Sequence, residues 1–244
     1  MGAFPYCYGT TTDRGDVRAE NQDSILAEAG FVHGRPSALM AVADGMGGLA
    51  YGAQTSAYIA EQFSRWWRED FPSMIGEGID RDEDIRELLE QEIWDINQGI
   101  FEFRSRMECR TGSTLSLLLL YNGNYYVENL GDSRVYLLRN GSIFRLTEDQ
   151  SVEAKGKRML TMCMGMFAVP QSQYRHGGLR PGDRFLLCSD GLFNALDERR
   201  IEEIMGLQEL GPQEMAGLLR RQIHSGKARD NVSAIVIHTR GRSE

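Results

Sequence analysis

The stretch that decides the fold is residues 113–146, STLSLLLLYNGNYYVENLGDSRVYLLRNGSIFRL. Two pairs within it, Asn122-Gly123 and Asn140-Gly141, each stand between runs of mostly apolar residues. An Asn-Gly pair in this setting is the strongest short signal for a β-hairpin, because both turn residues must adopt positive φ angles. The stretch is therefore predicted to form an antiparallel meander rather than part of a parallel sheet. Its four predicted strands cover residues 113–121, 125–130, 135–139 and 142–146.

Further strands and two long helices are predicted on either side of this stretch. Upstream, residues 24–32 and 37–43 read as strands joined by a connection at residues 33–36. Apolar residues then recur at helical spacing from Ala53 to Trp67 and again from Ile85 to Met107. Downstream, the predicted elements are a strand at residues 184–188, helices at 198–205 and 212–224, and a strand at 232–238. This order predicts one α+β domain over residues 1–244.

Composition excludes several classes of protein. The chain has 244 residues, 41% of them hydrophobic and 25% charged, which is typical of a globular domain. Its net charge of −8 argues against a nucleic-acid binder, which would carry a basic surplus. Four scattered cysteines favour a reducing compartment, and the longest apolar run, residues 115–121, is too short to span a bilayer. With no signal peptide visible, we expect a cytoplasmic protein that binds no membrane.

Several aspartates stand where predicted strands end or begin. Asp44 and Asp190 each follow an apolar strand, Asp132 follows Leu130-Gly131, and Asp230 opens the last strand. Taken singly, an Asp-Gly pair is most simply explained as a turn. Strand ends in a sandwich converge at one edge, however, so these carboxylates are predicted to meet. Carboxylates that lie so close together cannot all stay ionised unless cations lie among them.

The donor set indicates which cation. Carboxylates, a backbone carbonyl and waters are all oxygen ligands, which suit hard ions such as Mg²⁺ or Mn²⁺. None of the four histidines lies in the acidic motifs, which argues against a zinc site. The residues therefore predict a site for two divalent cations.

At this point the sequence resembles a known family, the type 2C protein phosphatases, and is most similar to its compact bacterial branch. The matching motifs occur in the family's order from Thr12 to Ser233, and no single one would be specific. They are Thr12-Asp13-Arg14-Gly15 with Arg18-x-x-Asn21-Gln22-Asp23, Ala43-Asp44-Gly45-Met46-Gly47-Gly48, Gly112-Ser113-Thr114, Gly131-Asp132-Ser133-Arg134, Leu146-Thr147-x-Asp149, Ser189-Asp190-Gly191-Leu192 and Asp230-Asn231-Val232-Ser233.

The resemblance implies both a fold and an activity. The fold is a central sandwich of two antiparallel β-sheets flanked by pairs of helices, in four α-β-β-α layers. The activity is hydrolysis of phosphoserine and phosphothreonine in proteins, through in-line attack by a water that bridges two Mn²⁺ or Mg²⁺ ions. The implied partners are phosphorylated proteins and a cognate serine/threonine kinase, and we expect a monomer.

The resemblance also implies roles for individual residues. Asp44 would bridge the two metals, with the Gly45 carbonyl on one of them. Asp190 and Asp230 would complete the first metal's ligands, and Asp23 would reach the second metal directly or through water. These five residues are the expected metal ligands.

The resemblance implies two further roles, and two residues depart from the family pattern. Arg18 would hold the phosphoryl oxygens, and Asp132 with Asp190 resembles the site of a third, weaker ion. Asn194 stands where a further Asp often follows Ser-Asp-Gly, which weakens the hypothesis of a third ion. Met46 stands where animal members carry a histidine, so protonation of the leaving group is expected from a metal-bound water.

Two other interpretations remain open. A pseudophosphatase would keep the fold and bind phosphoproteins without turnover, although loss of Asp44, Asp190 or Asp230 would be its signature and all three are present. Gly45-x-Gly47-x-x-Ala50 formally satisfies a dinucleotide-binding fingerprint. That fingerprint requires a parallel βαβ unit, which the predicted Asn-Gly hairpins contradict.

Overall fold

The computed structural model describes residues 5–46, 50–76, 81–154, 156–223 and 228–240. The motif Ala43-Asp44-Gly45-Met46-Gly47-Gly48 is therefore described only as far as Met46, and His224, the predicted last residue of a helix, lies outside these ranges. The strands are β1 Tyr6–Asp13, β2 Asp23–Val32, β3 Arg35–Asp44, β4 Leu115–Tyr121, β5 Asn124–Leu130, β6 Arg134–Arg139, β7 Ser142–Arg145, β8 Ser151–Ala154, β9 Lys157–Leu160, β10 Gln173–Gly178, β11 Arg184–Cys188 and β12 Val232–Thr239. The helices are α1 Gly52–Arg65, α2 Phe71–Gly76, α3 Asp82–Met107, α4 Asp190–Phe193, α5 Glu198–Met205 and α6 Pro212–Gln222.

Ten of the strands form two antiparallel sheets of five. One sheet, called the outer-terminal sheet here, has the order β1-β12-β11-β6-β7. The other, called the central-hairpin sheet, has the order β10-β5-β4-β3-β2. Strands β8 and β9 form a separate two-stranded hairpin.

Both predicted Asn-Gly hairpins are present as tight two-residue turns. Tyr121 pairs with Asn124 in one, and Arg139 pairs with Ser142 in the other. The φ angles are 50° and 79° at Asn122-Gly123, and 53° and 79° at Asn140-Gly141. Positive φ at both central residues is the type I′ geometry, whose twist matches that of the flanking strands.

The prediction that these hairpins form one meander was wrong. Hairpin β4–β5 belongs to the central-hairpin sheet, and β6–β7 belongs to the outer-terminal sheet. The chain changes sheets at Gly131–Ser133, where Gly131 has a φ of 105°. A Cβ at Gly131 would lie 2.7 Å from Cγ2 of Thr114, so the crossing leaves no room for a side chain. Turn chemistry determines only which neighbouring strands pair, and it says nothing about which sheet each pair joins.

The connection between β2 and β3 is shorter than predicted. Val32 pairs with Arg35, so His33 and Gly34 alone form the turn and Pro36 belongs to the strand. His33 and Gly34 have φ angles of 48° and 75°, the same type I′ signature. Pro36 is tolerated because it lies at the beginning of β3, and the pairing of β3 with β4 starts only at Ala38.

Alternation along the strands produces the layers of the fold. On β3, Ala38, Met40 and Val42 are buried in the cluster between the two sheets. Their neighbours Leu39 and Ala41 are buried in a second cluster on the opposite face, where the helices pack. A strand covered on both faces reads as a continuous apolar run, because side chains alternate between two dry layers.

Helices cover both outer faces of this sandwich. The predicted apolar face of α3 packs with α1 on the central-hairpin sheet, and α4, α5 and α6 pack on the outer-terminal sheet. A π-helical turn at Trp66–Asp70 joins α1 to α2 and buries two tryptophans there. The predicted four-layer α-β-β-α arrangement is therefore confirmed. Among the described helices, none combines the length and the apolar character needed to cross a membrane.

One carboxyl group is enclosed in this scaffold. Glu128 on β5 is fully buried, and neither of its carboxylate oxygens has a hydrogen-bond partner among the described residues. Burial raises the pKa of Glu128 to about 8, and the nearby Ser172 hydroxyl opposes only part of that rise. The folded protein therefore holds this proton at pH values where the unfolded chain has already lost it.

Replacement Glu128→Gln should stabilise the protein in a pH-dependent manner. Between about pH 4.5 and pH 8 the folded state binds more protons at Glu128 than the unfolded state does, so stability falls as pH rises through this range. The variant lacks this loss and should gain roughly 2–4 kcal/mol over the parent at pH 8, and far less at pH 5. Urea unfolding at both pH values measures the gain. The exposed Glu209→Gln is the matched control, and an equal pH dependence in both variants would contradict the interpretation.

Candidate active site

Four of the predicted aspartates line a single cavity of about 430 Å³, called the acidic cleft here. Arginine and methionine side chains complete its wall. The lining residues are Arg18, Asp44, Met46, Arg110, Thr114, Asp132, Arg158, Met159, Leu160, Met166, Asp190 and Asp230.

Three of the four aspartates come from one end of the outer-terminal sheet. Antiparallel pairing places the end of β11 beside the starts of β6 and β12, since Cys188 pairs with Arg134 and with Ala234. Asp190 follows β11, Asp132 lies in the crossing before β6, and Asp230 lies just before β12. The pairing order therefore brings together residues that are far apart in the sequence.

The central-hairpin sheet contributes the other acidic pair. Asp44 ends β3, and Asp23, which begins β2, is its direct cross-strand partner. Asp44 reaches the acidic cleft, whereas Asp23 does not line it. Asp23 is buried and accepts a hydrogen bond of 2.8 Å from the Ser189 hydroxyl, which joins the edges of the two sheets.

Hydroxyl groups hold the backbone of Asp44 in place. Its N–H donates to the Thr114 hydroxyl at 2.9 Å, and its carbonyl accepts from the Thr114 N–H and the Ser113 hydroxyl, both at 2.9 Å. These bonds satisfy the main chain of Asp44 at the point where the strand ends. The side-chain carboxylate is consequently left for the cleft.

The backbone at Gly45 passes unusually close to the start of α1. Its N–H donates to the Gln22 carbonyl at 3.0 Å. A Cβ at this position would lie 2.4 Å from the carbonyl oxygen of Gly52, which is a backbone atom and cannot rotate aside. Only glycine permits this approach, which sets the path of the chain directly after Asp44.

Burial and mutual repulsion make the carboxylates unusually basic. Burial first, then the charges of Asp23 and Asp190, raise the pKa of Asp44 well above its ordinary value. Burial and then the charges of Asp132 and Asp230 raise the pKa of Asp190 to about 7. Burial likewise raises the pKa of Asp23 to about 6, against the hydrogen bonds from Ser189 and Ser233. Negative charges so arranged favour a bound cation.

Unpartnered oxygens show that the site fits a hard metal ion. Oδ1 of Asp23 and Oδ1 of Asp190 are buried and have no hydrogen-bond partner among the described residues. Metal coordination would satisfy both, and all-oxygen donor sets suit Mg²⁺ and Mn²⁺. Within the described ranges, no three acidic, histidine or cysteine side chains converge closely enough to enclose an ion. The two unpartnered oxygens therefore fit a hard divalent cation.

Arg18 lies at the edge of the carboxylate group and pairs with one member of it. Its Nε and Nη2 donate to the two carboxylate oxygens of Asp230 at 2.8 and 2.5 Å. This two-point contact fixes the plane of the guanidinium group. Arg158 of the β8–β9 hairpin also contacts a cleft carboxylate, through a single pair of atoms, with Nε 3.2 Å from Oδ2 of Asp132.

Asn231, to which the sequence patterns assigned no role, holds the loop that carries Arg18. Its side-chain oxygen accepts from the Gln22 N–H at 2.9 Å, and its amide nitrogen donates to the carbonyls of Arg14 and Glu20. The motif Asp230-Asn231 was visible in the sequence, but the hydrogen-bonding partners of a buried amide were not. The hydrogen bonds of Ser189 and Thr114, and the presence of Arg110 and Arg158 in the cleft, likewise depend on the folded structure.

Comparison with known proteins agrees with this geometry. A family model described as protein phosphatase 2C matches residues 14–224. The serine/threonine protein phosphatase PstP of Mycobacterium tuberculosis is 30% identical over 251 aligned positions, which cover 94% of this chain and 44% of PstP. The serine/threonine phosphatase stp of Listeria welshimeri is 27% identical, with 93% of each chain covered. The chain thus spans less than half of PstP and nearly all of stp.

A solved structure extends the similarity to three dimensions. The catalytic domain of PstP in complex with two manganese ions matches with a TM-score of 0.76 at 28% identity, over 97% of this chain and 99% of that one. The fold and the acidic cleft together define an α-β-β-α sandwich protein of the same class as the PstP catalytic domain. Since the family model covers most of its length, the chain belongs to the protein phosphatase 2C family.

Replacement Gly45→Ala should destabilise the protein, because the added methyl group meets backbone atoms that cannot move aside. We expect a loss of about 1–3 kcal/mol in the free energy of unfolding, as for other overpacked sites. Gly30→Ala is the control, since a Cβ there meets no atom within 4 Å. Chemical denaturation of both variants measures the difference. A similar loss in the two would contradict the close approach described at Gly45.

Proposed function

We propose that this protein is a Mn²⁺- or Mg²⁺-dependent protein serine/threonine phosphatase. The observation that carries the proposal is the acidic cleft, where carboxylates from both sheets meet beside Arg18 and where a buried oxygen of Asp190 has no hydrogen-bond partner among the described residues. Membership of the protein phosphatase 2C family supports the same activity. The two manganese ions in the PstP catalytic domain support the proposed number and kind of metal.

Asp23, Asp44, Asp190 and Asp230 would hold the two metal ions, together with the Gly45 carbonyl. When bound, the ions supply the positive charge that acidifies an attacking water and polarises the phosphoryl group. Asp44 suits a shared position because its main chain is already satisfied by Thr114 and Ser113. The protein's own contribution is to hold these carboxylates in place, despite their repulsion, before the substrate arrives.

Arg18 would bind the phosphoryl oxygens. A guanidinium group has five N–H donors, and two of them are used by Asp230. Three donors therefore remain for the substrate. The contact with Asp230 holds the guanidinium plane beside the proposed metal ligands, where a two-point contact with a phosphoryl group is favourable.

A third, weaker ion between Asp132 and Asp190 is also proposed. Both residues line the cleft; the negative charge of Asp132 adds to burial in raising the pKa of Asp190, and burial raises the pKa of Asp132. Asn194 donates to Oδ2 of Asp190 at 3.1 Å, and Arg158 approaches Asp132. Both contacts compete with a cation for these oxygens, so the third ion should bind more weakly than the other two.

The remaining expectations stay proposals of the same kind. Residues 1–244 would form one catalytic domain that acts as a monomer in the cytoplasm. Its substrates would be phosphorylated proteins, and its action would reverse that of a serine/threonine kinase. The phosphatase homologues PstP and stp support a phosphoprotein as the substrate class.

Hydrolysis of a phosphothreonine peptide with Mn²⁺, with EDTA and in Asp44→Asn tests the proposal. We expect turnover that requires Mn²⁺ and falls at least about 100-fold in the variant, since losing even an indirect metal contact costs 10–100-fold. Asp95→Asn, an exposed aspartate on α3, is the control and should retain the parent rate.

Thermal unfolding with and without Mn²⁺ separates metal binding from catalysis. A metal that binds only the folded state raises the melting temperature, and tighter binding raises it further, so the parent should be stabilised and Asp44→Asn less so. A folded protein that Mn²⁺ stabilises but that shows no turnover would overturn the enzyme and support the phosphoprotein-binding alternative.

A further inference from the structure

Three arginines line the acidic cleft beside its four aspartates: Arg18, Arg110 and Arg158. Two of them are already bound to carboxylates. Arg18 makes its two-point contact with Asp230. Arg158 contacts Asp132 at 3.2 Å and also donates to Asp149, with its guanidinium over the ring of Phe193. The charges of these two side chains are largely offset within the protein.

Arg110 differs from both. It is exposed, and its guanidinium makes no hydrogen bond or ion pair with any residue in the described part of the chain. Its position is nevertheless fixed close to the site, because the carbonyl of Gly112, two residues on, accepts the Met46 N–H at 3.0 Å. Two residues of chain span at most about 7 Å. Arg110 therefore presents an unbalanced positive charge at the rim of the cleft.

We propose that Arg110 is a specificity-determining residue that binds an acidic side chain next to the phosphorylated residue of the substrate. This inference rests on the proposed phosphatase function. An exposed arginine at the rim, whose charge no described residue offsets, attracts a carboxylate that the substrate carries beside its phosphorylated residue. Charges at the rim of a binding site favour complementary partners and disfavour those of like charge.

Arg18 is the better candidate for the phosphoryl group itself. It contacts Asp230, one of the proposed metal ligands, whereas Arg110 has no contact with a cleft carboxylate in the described residues. Arg110 is exposed, whereas Arg18 is only partly exposed. The flanking residues of a bound peptide, rather than its phosphoryl group, are therefore the expected partners.

A set of phosphothreonine peptides tests this preference. Each peptide carries Glu, Gln or Lys at one of the three positions on either side of the phosphothreonine and is otherwise identical to the others. For the parent, kcat/KM should be about three- to tenfold higher with Glu than with Lys for at least one position, as expected for an exposed charge pair. In Arg110→Glu the order should invert. Each rate is taken relative to that protein's own Mn²⁺-dependent hydrolysis of p-nitrophenyl phosphate, which has no flanking residues.

The matched control is Arg106→Glu. Arg106 is an exposed arginine in the last turn of α3, only four residues away, and it does not line the cleft. It changes the net charge equally, so it should keep the parent's order of peptides. An unchanged order in Arg110→Glu, or an equal inversion in Arg106→Glu, would overturn the proposal.

Two further readouts distinguish failure of this proposal from failure of the proposed function. If p-nitrophenyl phosphate is not hydrolysed with Mn²⁺, the phosphatase proposal fails, and fluorescence anisotropy of the same labelled peptides still measures the charge preference. If Arg110→Glu instead raises KM for p-nitrophenyl phosphate itself, Arg110 binds the phosphoryl group, and its assignment to a flanking acid is wrong.

Discussion

Mutual repulsion among buried carboxylates is the constraint on which the rest of this structure depends. Burial raises the pKa values of Asp44, Asp190 and Asp23, and the negative charges of neighbouring aspartates raise each of them further. Such a group disfavours its own folded arrangement unless positive charge offsets it. Arg18 supplies part of that charge through Asp230. The metal ions proposed here would supply the remainder, so the same repulsion that costs stability creates affinity for cations.

The scaffold opposes this repulsion with strong local bonding. Both sheets end at the cleft, and hydroxyl groups of Thr114, Ser113 and Ser189 hold the backbone and side chains at those ends. Behind them lie three dry layers, in which alternate residues of one strand face the opposite sheet or the helices. Such a rigid support keeps a charged site close to its working geometry, as an active site requires.

The sequence predicted the elements of this fold better than their assembly. Periodicity identified the long helices, and the chemistry of Asn-Gly located two turns to the residue. The prediction that both hairpins belong to one meander failed because the chain crosses between the sheets at Gly131. This crossing depends on contacts with Thr114, which no local pattern encodes. Strand-end position singled out the acidic residues that share the cleft. The roles of Asn231 and Arg110 depend on which groups lie nearby in space, so they became visible only in the structure.

Asn231 and Asp230 have a consequence for the order in which the protein matures. Asp230 contacts Arg18, 212 residues earlier in the chain, and Asn231 holds the loop around it. Strand β12 also lies between β1 and β11, so its sheet cannot close before it is present. Contacts this distant in sequence form slowly, after local helices and hairpins. A growing chain on the ribosome therefore carries an incomplete cleft until β12 has been synthesised, and hydrolytic competence would arise only after that step.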